Sequence, residues 1–525
     1  MSVLLAVTTG YASASATAAV RYGSILDIER SMSAGHVTAV QITRHYLDRI
    51  HAMNHRDQSL HAVIAINPNA ITEARARDRD RLAHRLRGPL EGIPILIKDN
   101  IETKDPVATT AGSLALVHNF AGHDAPVVAS LRAAGAIILG KTNLSEWANF
   151  RSSRSISGWS AVGGLTRNPY VLDRTACGSS SGSAVAVAAG LAAASLGTET
   201  DGSITCPASM NGIVGLKPTL GLLSQRGIVP IAHTQDTAGP MGRSVADVAL
   251  LLSAMTGKDY LSGLNAAALR GKRIGVLVFK TPFDRRMTDL YARAVAVLKA
   301  AGAVLIDVPA PHMTPIEAAE HTVMQDEFKD DINGYLATTP AAVHCRTLSD
   351  LIAFDDRTPA ELRYFGQDLF VQADATHGER SVGFGSALAT ATRLATGDIL
   401  RLMRSKHLDV LVAPTTTPAW RVDSVYGDDA DAFAFTTLAA VAGAPNLTVP
   451  MGQERGLPVG LSFVAAPGSD ASLLADGYAY EIRTVGFVAP TYRASLESAI
   501  DAYSGRHVAN HSLATRTTAR ARIAR

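Results

Sequence analysis

Cysteine is scarce in this sequence, with three residues in a chain of 525. The spacing of Cys177, Cys206 and Cys345 matches neither a zinc knuckle nor a C-x-x-C redox motif, and an odd number cannot pair completely within one chain. We therefore interpret these cysteines mainly as buried thiols. No cluster of histidine, cysteine and aspartate has the spacing of a metal site, so neither a metal nor an organic cofactor is expected.

The sequence also lacks an excess of charge of either sign. Lysine and arginine number 49 against 47 acidic residues, which gives a net charge of +2. Such a balance produces no field that would attract nucleic acid or an anionic membrane. No later apolar run reaches the ~18 residues that a membrane-spanning helix needs. With 47% hydrophobic and 18% charged residues, the composition is typical of a soluble globular protein.

The two ends of the chain differ from the part between them. Residues 3–7 form a short apolar run, and the small residues at 12–16 resemble the end of a secretory signal, although no basic region precedes them. We expect 1–22 to be a leader or flexible tail and 504–525, which is rich in arginine, to be a flexible basic tail. The protein would be cytoplasmic as the chain stands, and periplasmic or secreted if 1–22 is a truncated signal peptide.

Between these ends, helical and strand patterns alternate along the chain. This alternation predicts an α/β fold, and the lack of a repeat or a proline-rich linker favours one large domain over 23–503. An apolar run at 93–97 predicts a buried strand that delivers Lys98 at its end. The predicted helices lie within 24–54 (two helices) and at 73–87, 126–134, 184–195 and 289–301, and the other predicted strands lie at 136–139, 273–278 and 409–413.

Two short motifs match known patterns but stand in the wrong context. Residues 135–142 read GAIILGKT, which has the letters of a phosphate-binding loop, yet a helix precedes them and their centre is a buried apolar run. Residues 178–182 satisfy G-x-S-x-G, which would make Ser180 the nucleophile of a Ser-His-Asp hydrolase with His344 or His407 as its base. The residues before that motif are too polar for the strand it requires, so we keep this second function only as an alternative.

Three other segments carry the chemistry that we favour. They read GIPILIKD at 92–99, CGSSSGS at 177–183 and GTETDGSI at 197–204. Together they resemble the amidase signature family, whose members cleave carbon–nitrogen bonds. Further segments of the resemblance lie at 140–143, 236–240, 410–414 and 443–450, so that it covers nearly the whole chain. The family's fold implies a single mixed β-sheet core surrounded by α-helices.

The resemblance implies a Ser-cisSer-Lys triad. Ser203 would attack the amide, and Ser179, held by a cis peptide bond after Gly178, would bridge Ser203 and the base Lys98. A lysine accepts a proton only while it is neutral, so burial at the end of the apolar strand must lower its pKa from the usual value of about 10.4. Gly178 and Ser180 would belong to the supporting loop.

The tetrahedral intermediate of amide cleavage carries an oxyanion, which needs fixed N–H donors. We expect the backbone amides of Thr200, Asp201, Gly202 and Ser203 to supply them, with Gly202 allowing a close approach of the substrate. The side chain of Asp201 is interpreted either as a turn residue or as a carboxylate that shapes the pocket.

Within the family, residues 143–150 and 197–208 are most similar to bacterial peptide amidases, which hydrolyse the C-terminal amide of peptides. The expected activity is therefore hydrolysis of a peptide amide or amino acid amide to a carboxylate and ammonia through an acyl-enzyme. Asp201 and Thr205 stand where the family commonly has glycine and arginine, which argues against a role as the glutaminase-type subunit of an amidotransferase. That role stays open, as does a non-catalytic binding protein. We expect a monomer or homodimer whose partner is a small amide or an amidated peptide.

Overall fold

The structure is a computed structural model that describes residues 21–55, 59–280, 283–429 and 432–497. Apart from residues 21 and 22, the predicted leader at 1–22 lies outside the described residues, as does the whole predicted tail at 504–525. The strands are β1 Val63–Ile66, β2 Pro94–Lys98, β3 Ile137–Thr142, β4 Trp159–Ser160, β5 Gly164–Leu165, β6 Ala194–Glu199, β7 Val214–Lys217, β8 Thr237–Gly242, β9 Arg273–Val278, β10 Val304–Pro309, β11 Val410–Pro414, β12 Asn446–Glu454 and β13 Leu457–Val464. The α-helices are α1 Ile25–Ser33, α2 Ala39–Met53, α3 Ala70–Leu82, α4 Pro126–Ala133, α5 Ser181–Ala188, α6 Thr205–Met210, α7 Val245–Thr256, α8 Arg285–Ala300, α9 Thr314–Thr338, α10 Leu348–Arg357, α11 Asp368–Asp374, α12 Phe384–Ser405, α13 Thr437–Val441 and α14 Asp470–Glu481.

One mixed sheet of 11 strands forms the centre of the molecule, in the order β1-β3-β2-β6-β8-β7-β12-β13-β11-β9-β10. Strand β2 is parallel to both β3 and β6, and β9 is parallel to both β10 and β11. The other neighbouring pairs are antiparallel. Helices pack against the sheet around one large apolar cluster that extends from α1 to α14. The predicted α/β class, the single domain and the mixed sheet are confirmed.

Strand β2 is buried along its whole length between two parallel neighbours. A strand that is covered on both faces has a continuous apolar sequence, which is why the run at 93–97 could be interpreted from the sequence. Residues 135–142, whose sequence matches the pattern of a phosphate-binding loop, also lie mostly in a buried strand, β3. Lys141 of that motif is buried 3.5 Å from Asp99, in keeping with our rejection of a nucleotide site.

The first two helices each begin with a capping box. Ser24 Oγ accepts the N–H of Asp27, whose carboxylate accepts the N–H of Ser24 in return. Thr38 and Gln41 make the same exchange at the start of α2. Each exchange satisfies backbone donors that a helix terminus leaves free. These two helices correspond to the pair predicted within 24–54.

The predicted helix at 184–195 is wrong in its second half. Helix α5 ends at Ala188, Gly190 adopts a φ of 66°, and β6 begins at Ala194. Every residue of α5 and of β6 is buried. An apolar segment without a polar face has no periodicity to distinguish a helix from a strand.

None of the described helices combines the length and the apolar character that crossing a bilayer requires.

Candidate active site

The predicted site residues meet where neighbouring parallel strands end. Strand β2 ends at Lys98, and its neighbour β6 continues directly into the loop that contains Ser203. The segment before α5 carries Ser179. Strand β2 thus supplies the lysine and β6 leads to one serine, while the loop before α5 adds the other.

Lys98 is fully buried, and its amino group has polar contacts with two residues. Nζ lies 2.7 Å from Ser179 Oγ, 2.8 Å from Thr198 Oγ1 and 3.2 Å from Thr198 O. Burial lowers the pKa of Lys98 to about 7, although the nearby carboxyl groups of Asp236 and Glu199 oppose this change. The side chain is therefore poised to exchange a proton near neutral pH, which is the property that a proton-accepting lysine needs.

Ser179 follows a cis peptide bond after Gly178. Its carbonyl oxygen accepts the N–H of Ser145 at 3.0 Å. A Cβ atom at residue 178 would overlap the Ser145 hydroxyl. A larger residue at 178 would therefore have to displace the Ser145 hydroxyl, next to the serine whose own hydroxyl contacts Lys98.

Ser180 ties this loop to its surroundings. Its N–H donates to Ser203 O at 3.0 Å, and its hydroxyl donates to Thr198 O at 3.0 Å. His344 and His407 are both exposed, and within the described part of the chain neither forms a hydrogen bond with Ser180. This geometry agrees with a supporting role for Ser180, and neither histidine is placed to act as its base.

The loop before Ser203 leaves backbone donors unused. Among the described residues, no acceptor takes the N–H of Asp201, Gly202 or Ser203. Gly202 has a φ of 76°, and a Cβ atom there would lie 3.2 Å from Thr436 Oγ1. Ser203 itself is 7% exposed. Free N–H groups are therefore present at Ser203 and at the two residues before it, and the serine itself is buried.

Two hydrogen bonds, each between a threonine hydroxyl and an aspartate carboxyl group, connect this loop to its neighbours. Thr200 Oγ1 donates to Asp236 Oδ1 at 2.5 Å. Asp201 Oδ2 accepts from Thr437 Oγ1 at 2.5 Å, and burial raises the pKa of Asp201. Of the two interpretations of Asp201, the structure favours a carboxyl group that shapes the site, because its bond is to helix α13 and not to its own turn.

Glu199 is a site residue that the sequence reasoning missed. Its carboxylate accepts the N–H groups of Ile204 at 2.7 Å and Thr205 at 2.8 Å. Burial raises the pKa of Glu199, and the buried Lys217 opposes this change. Glu199 thereby stabilises the turn of the chain that contains Ser203. Its place in the GTETDGSI segment was the one signal in the sequence, but the letters do not show which way the carboxylate points.

A pocket of about 230 Å³ opens beside the site. Thr198, Thr200 and Asp236 line its wall together with Asn100, whose side-chain amide donates to Thr198 Oγ1 at 3.0 Å. The exposed residue His233 also lines this pocket. Solvent therefore reaches the threonine that contacts Lys98.

The prediction that the cysteines are mainly buried thiols is wrong for two of the three. Cys177 and Cys206 form a disulfide with their Cα atoms 6.0 Å apart, whereas Cys345 is free and buried. Cys177 immediately precedes the Gly178–Ser179 bond, and Cys206 follows Ser203 by three residues. The bridge thus joins the two segments that carry the site serines. No sign of this pairing is visible in the sequence, because it depends on how close the fold brings the two segments.

Comparison with known proteins adds independent findings. A family model described as Amidase matches residues 41–474. A probable amidase of Arabidopsis thaliana is 36% identical over 500 residues, covering 90% of this chain and 92% of that protein. A glutamyl-tRNA(Gln) amidotransferase subunit of Halorhodospira halophila is 34% identical over 481 residues, covering 87% of this chain and 96% of that protein. The solved structure of the native peptide amidase from Stenotrophomonas maltophilia is 48% identical with a TM-score of 0.84, covering 89% of this chain and 98% of that chain.

Proposed function

The chain belongs to the amidase family, and we propose that it hydrolyses the C-terminal amide of a peptide or an amino acid amide through an acyl-enzyme on Ser203. The observation that carries this proposal is the buried Lys98 amino group, 2.7 Å from Ser179 Oγ. A buried lysine whose pKa is lowered to about 7 is a general base suited to neutral pH. We propose that Ser179 transmits the proton, since its hydroxyl contacts that base and the N–H of the next residue, Ser180, donates to Ser203 O at 3.0 Å.

The reaction begins when the Ser203 hydroxyl attacks the carbonyl carbon of the amide. A serine hydroxyl is a weak nucleophile unless its proton leaves as the new bond forms. Ser179 accepts this proton and passes its own proton to neutral Lys98. The hydroxyls of Ser203 and Ser179 form no hydrogen bond with each other in the described chain, so the relay requires the Ser203 side chain to rotate toward Ser179. Catalytic contacts of this kind often tighten only when substrate is bound.

The negative charge that develops on the carbonyl oxygen is stabilised by the free N–H groups of Asp201, Gly202 and Ser203. Such donors are effective because they are already oriented before the charge develops. Thr200 is proposed to contribute its N–H as well, because no acceptor takes it among the described residues, and its hydroxyl bond to Asp236 fixes the start of this loop.

The tetrahedral intermediate collapses when the leaving nitrogen is protonated. Ser179 returns a proton to that nitrogen, Lys98 re-protonates Ser179, and ammonia departs. A water molecule then attacks the acyl-enzyme by the same route in reverse. The products are a carboxylate and free Ser203.

The substrate class rests on the likeness to the peptide amidase of Stenotrophomonas maltophilia, which at 48% identity exceeds the 34% of the amidotransferase protein. An amidated peptide or amino acid amide is therefore the preferred substrate. Glutamine is the alternative, because the amidotransferase protein of Halorhodospira halophila is matched over 96% of its length.

Variants of the two candidate nucleophiles test the proposal. We expect Ser203→Ala to abolish ammonia release and labelling by a fluorophosphonate probe, and Ser180→Ala to retain both, with thermal melting showing that each variant is folded. Loss of labelling in Ser180→Ala alone would support the histidine-dependent alternative.

A substrate panel of amidated dipeptides, aliphatic amides, aryl amides and glutamine then separates the substrate classes. Release of ammonia from glutamine alone would assign the amidotransferase role, and no turnover of any amide would favour a binding protein.

A further inference from the structure

A cluster of potential metal ligands lies outside the serine site, at the exposed part of the neighbouring pocket. It consists of His233 from the segment between β7 and β8, Asp331 from α9, and Glu379 from a short turn at 378–380. One ligand atom from each of the three lies within 4.8 Å of the other two. His233 Nδ1 is 3.0 Å from Asp331 Oδ2, and the His233 backbone N–H donates to the same oxygen at 2.9 Å.

A buried carboxylate behind the imidazole provides a second and independent observation. Glu327 stands one helical turn before Asp331 on α9 and is completely buried. Its Oε2 accepts the hydroxyl of Thr234 at 2.9 Å, but no hydrogen bond reaches its Oε1 among the described residues. That oxygen lies 3.8 Å from His233 Nε2. A buried carboxylate oxygen without a donor is costly, so its position facing the imidazole calls for an N–H there.

Metal-binding histidines characteristically show this arrangement. One ring nitrogen binds the ion, and the other donates its N–H to a carboxylate that fixes the orientation of the ring. In this cluster Nδ1 faces Asp331, and Nε2 faces Glu327. A metal at Nδ1 would hold a proton on Nε2 and so supply the donor that Glu327 Oε1 lacks.

The charge of the cluster also calls for a cation. Glu327, Asp331 and Glu379 surround a single imidazole, and Asp330 adds a fourth carboxylate that accepts the Glu379 N–H at 2.8 Å. In the described ranges, no lysine or arginine forms an ion pair with the first three of these acids. An imidazolium neutralises one negative charge, whereas a divalent ion neutralises two.

We infer that His233, Asp331 and Glu379 bind a divalent cation of the Zn²⁺ type, with Glu327 orienting the imidazole. Zn²⁺ accepts a mixture of imidazole and carboxylate ligands, whereas Mg²⁺ and Ca²⁺ prefer oxygen ligands alone. Ligand spacing along the sequence could not reveal this site, because 98 residues separate His233 from Asp331. This inference departs from our expectation that no metal is bound.

The consequence of such an ion would be mechanical, because among the described residues none of its three ligands forms a hydrogen bond with Lys98, Ser179 or Ser203. His233 belongs to the same segment as Asp236, whose carboxylate accepts both the Thr200 hydroxyl and the N–H of Ile231. A cation shared by His233 and Asp331 would fasten this segment to α9 and hold Asp236 beside the start of the loop that carries Ser203.

Calorimetry on the full-length protein tests the inference without reference to catalysis. Protein stripped of metal with EDTA is titrated with ZnCl₂, and one saturable site per chain is expected, with a thermal midpoint that rises with free Zn²⁺ as linkage requires. We expect His233→Ala and Asp331→Asn to abolish that site and Glu327→Gln to weaken it by about 10–100-fold. Glu379→Gln, on an exposed turn, provides a ligand variant with little risk of misfolding.

His123→Ala is the matched control, because His123 Nε2 pairs with Glu102 at 3.0 Å in a similar contact but belongs to no such cluster among the residues that the structure describes. It should bind Zn²⁺ as the unmodified chain does. Two results would overturn the inference and leave His233 as an imidazolium paired with acids. One is the absence of saturable Zn²⁺ binding to the unmodified chain, and the other is a Zn²⁺ affinity of His233→Ala and Glu379→Gln equal to that of the unmodified chain. Because binding and melting are the readouts, the outcome is independent of whether Ser203 is the nucleophile.

Discussion

The amino group of Lys98 contacts both oxygen atoms of one residue, Thr198, at 2.8 Å to the hydroxyl and 3.2 Å to the carbonyl oxygen. A neutral amine has two N–H bonds and one lone pair, whereas an ammonium has three donors and no acceptor. If the two N–H bonds are directed at Thr198, the lone pair faces Ser179 Oγ at 2.7 Å. In that arrangement, Thr198 orients the base as well as contacting it.

The first prediction concerns pH. Lys98 must be unprotonated to accept a proton, and its pKa is lowered to about 7 by burial. We expect kcat/KM to rise with pH by about tenfold per unit below that pKa and to level off above it. The measurement is a pH–rate profile from roughly pH 5 to roughly pH 9 with an amidated dipeptide. A flat profile, or a rise centred near the ordinary lysine pKa, would contradict a neutral Lys98.

The second prediction concerns the orientation of that base. Thr198→Val keeps the branched shape of the side chain but removes the hydroxyl that accepts from both Lys98 and Asn100. Loss of the hydrogen bond between this hydroxyl and Lys98, about 1–2 kcal/mol, should lower kcat/KM roughly tenfold. Thr198→Ser restores the hydroxyl and should recover most of the activity. Steady-state kinetics of both variants provide the check, and equal rates for valine and serine at this position would count against the orienting role.

The third prediction concerns the amides of the loop before Ser203. An alanine at 202 would be strained at a φ of 76°, and its Cβ would lie 3.2 Å from Thr436 Oγ1. The loop should shift and misdirect its N–H groups, which lowers kcat by about 10²–10³. Gly221→Ala is the control, because residue 221 has a φ of 78° but open space around it. If the two variants lost the same amount of activity, backbone strain alone would explain the result for Gly202→Ala.

The fourth prediction concerns the disulfide between Cys177 and Cys206. The bridge closes a loop with a sequence separation of 29, for which the chain-entropy relation gives about 3–4 kcal/mol of stabilisation. We expect a reductant, or the double variant Cys177→Ser/Cys206→Ser, to lower the thermal midpoint and the activity together. Cys345→Ala, which leaves the bridge intact, should respond to reductant as the unmodified chain does. A thermal midpoint that reductant leaves unchanged would show that the bridge contributes nothing to stability.

The α/β class could be predicted because its signals are local, with a continuous apolar run marking β2 and helical and strand patterns alternating along the chain. The mixed sheet and the expected roles of Lys98, Ser179 and Ser203 came instead from the resemblance of three segments to the amidase signature family. Contacts between distant segments have no comparable signal. The Cys177–Cys206 bridge, the turn held by Glu199 and the cluster around His233 each depend on how the finished sheet places its loops. The incorrect helix at 184–195 has a different cause, since a segment buried on all sides has no polar face to mark its period.

The two threonines at the start of α13 come from a part of the chain far from the residues in the proposed proton path. Thr436 stands against Gly202 and Thr437 binds Asp201, whereas Lys98, Ser179 and Ser203 all lie between 98 and 203. A substitution in the later half of the sequence can therefore move the loop that carries Ser203 without changing any residue of the proposed proton path.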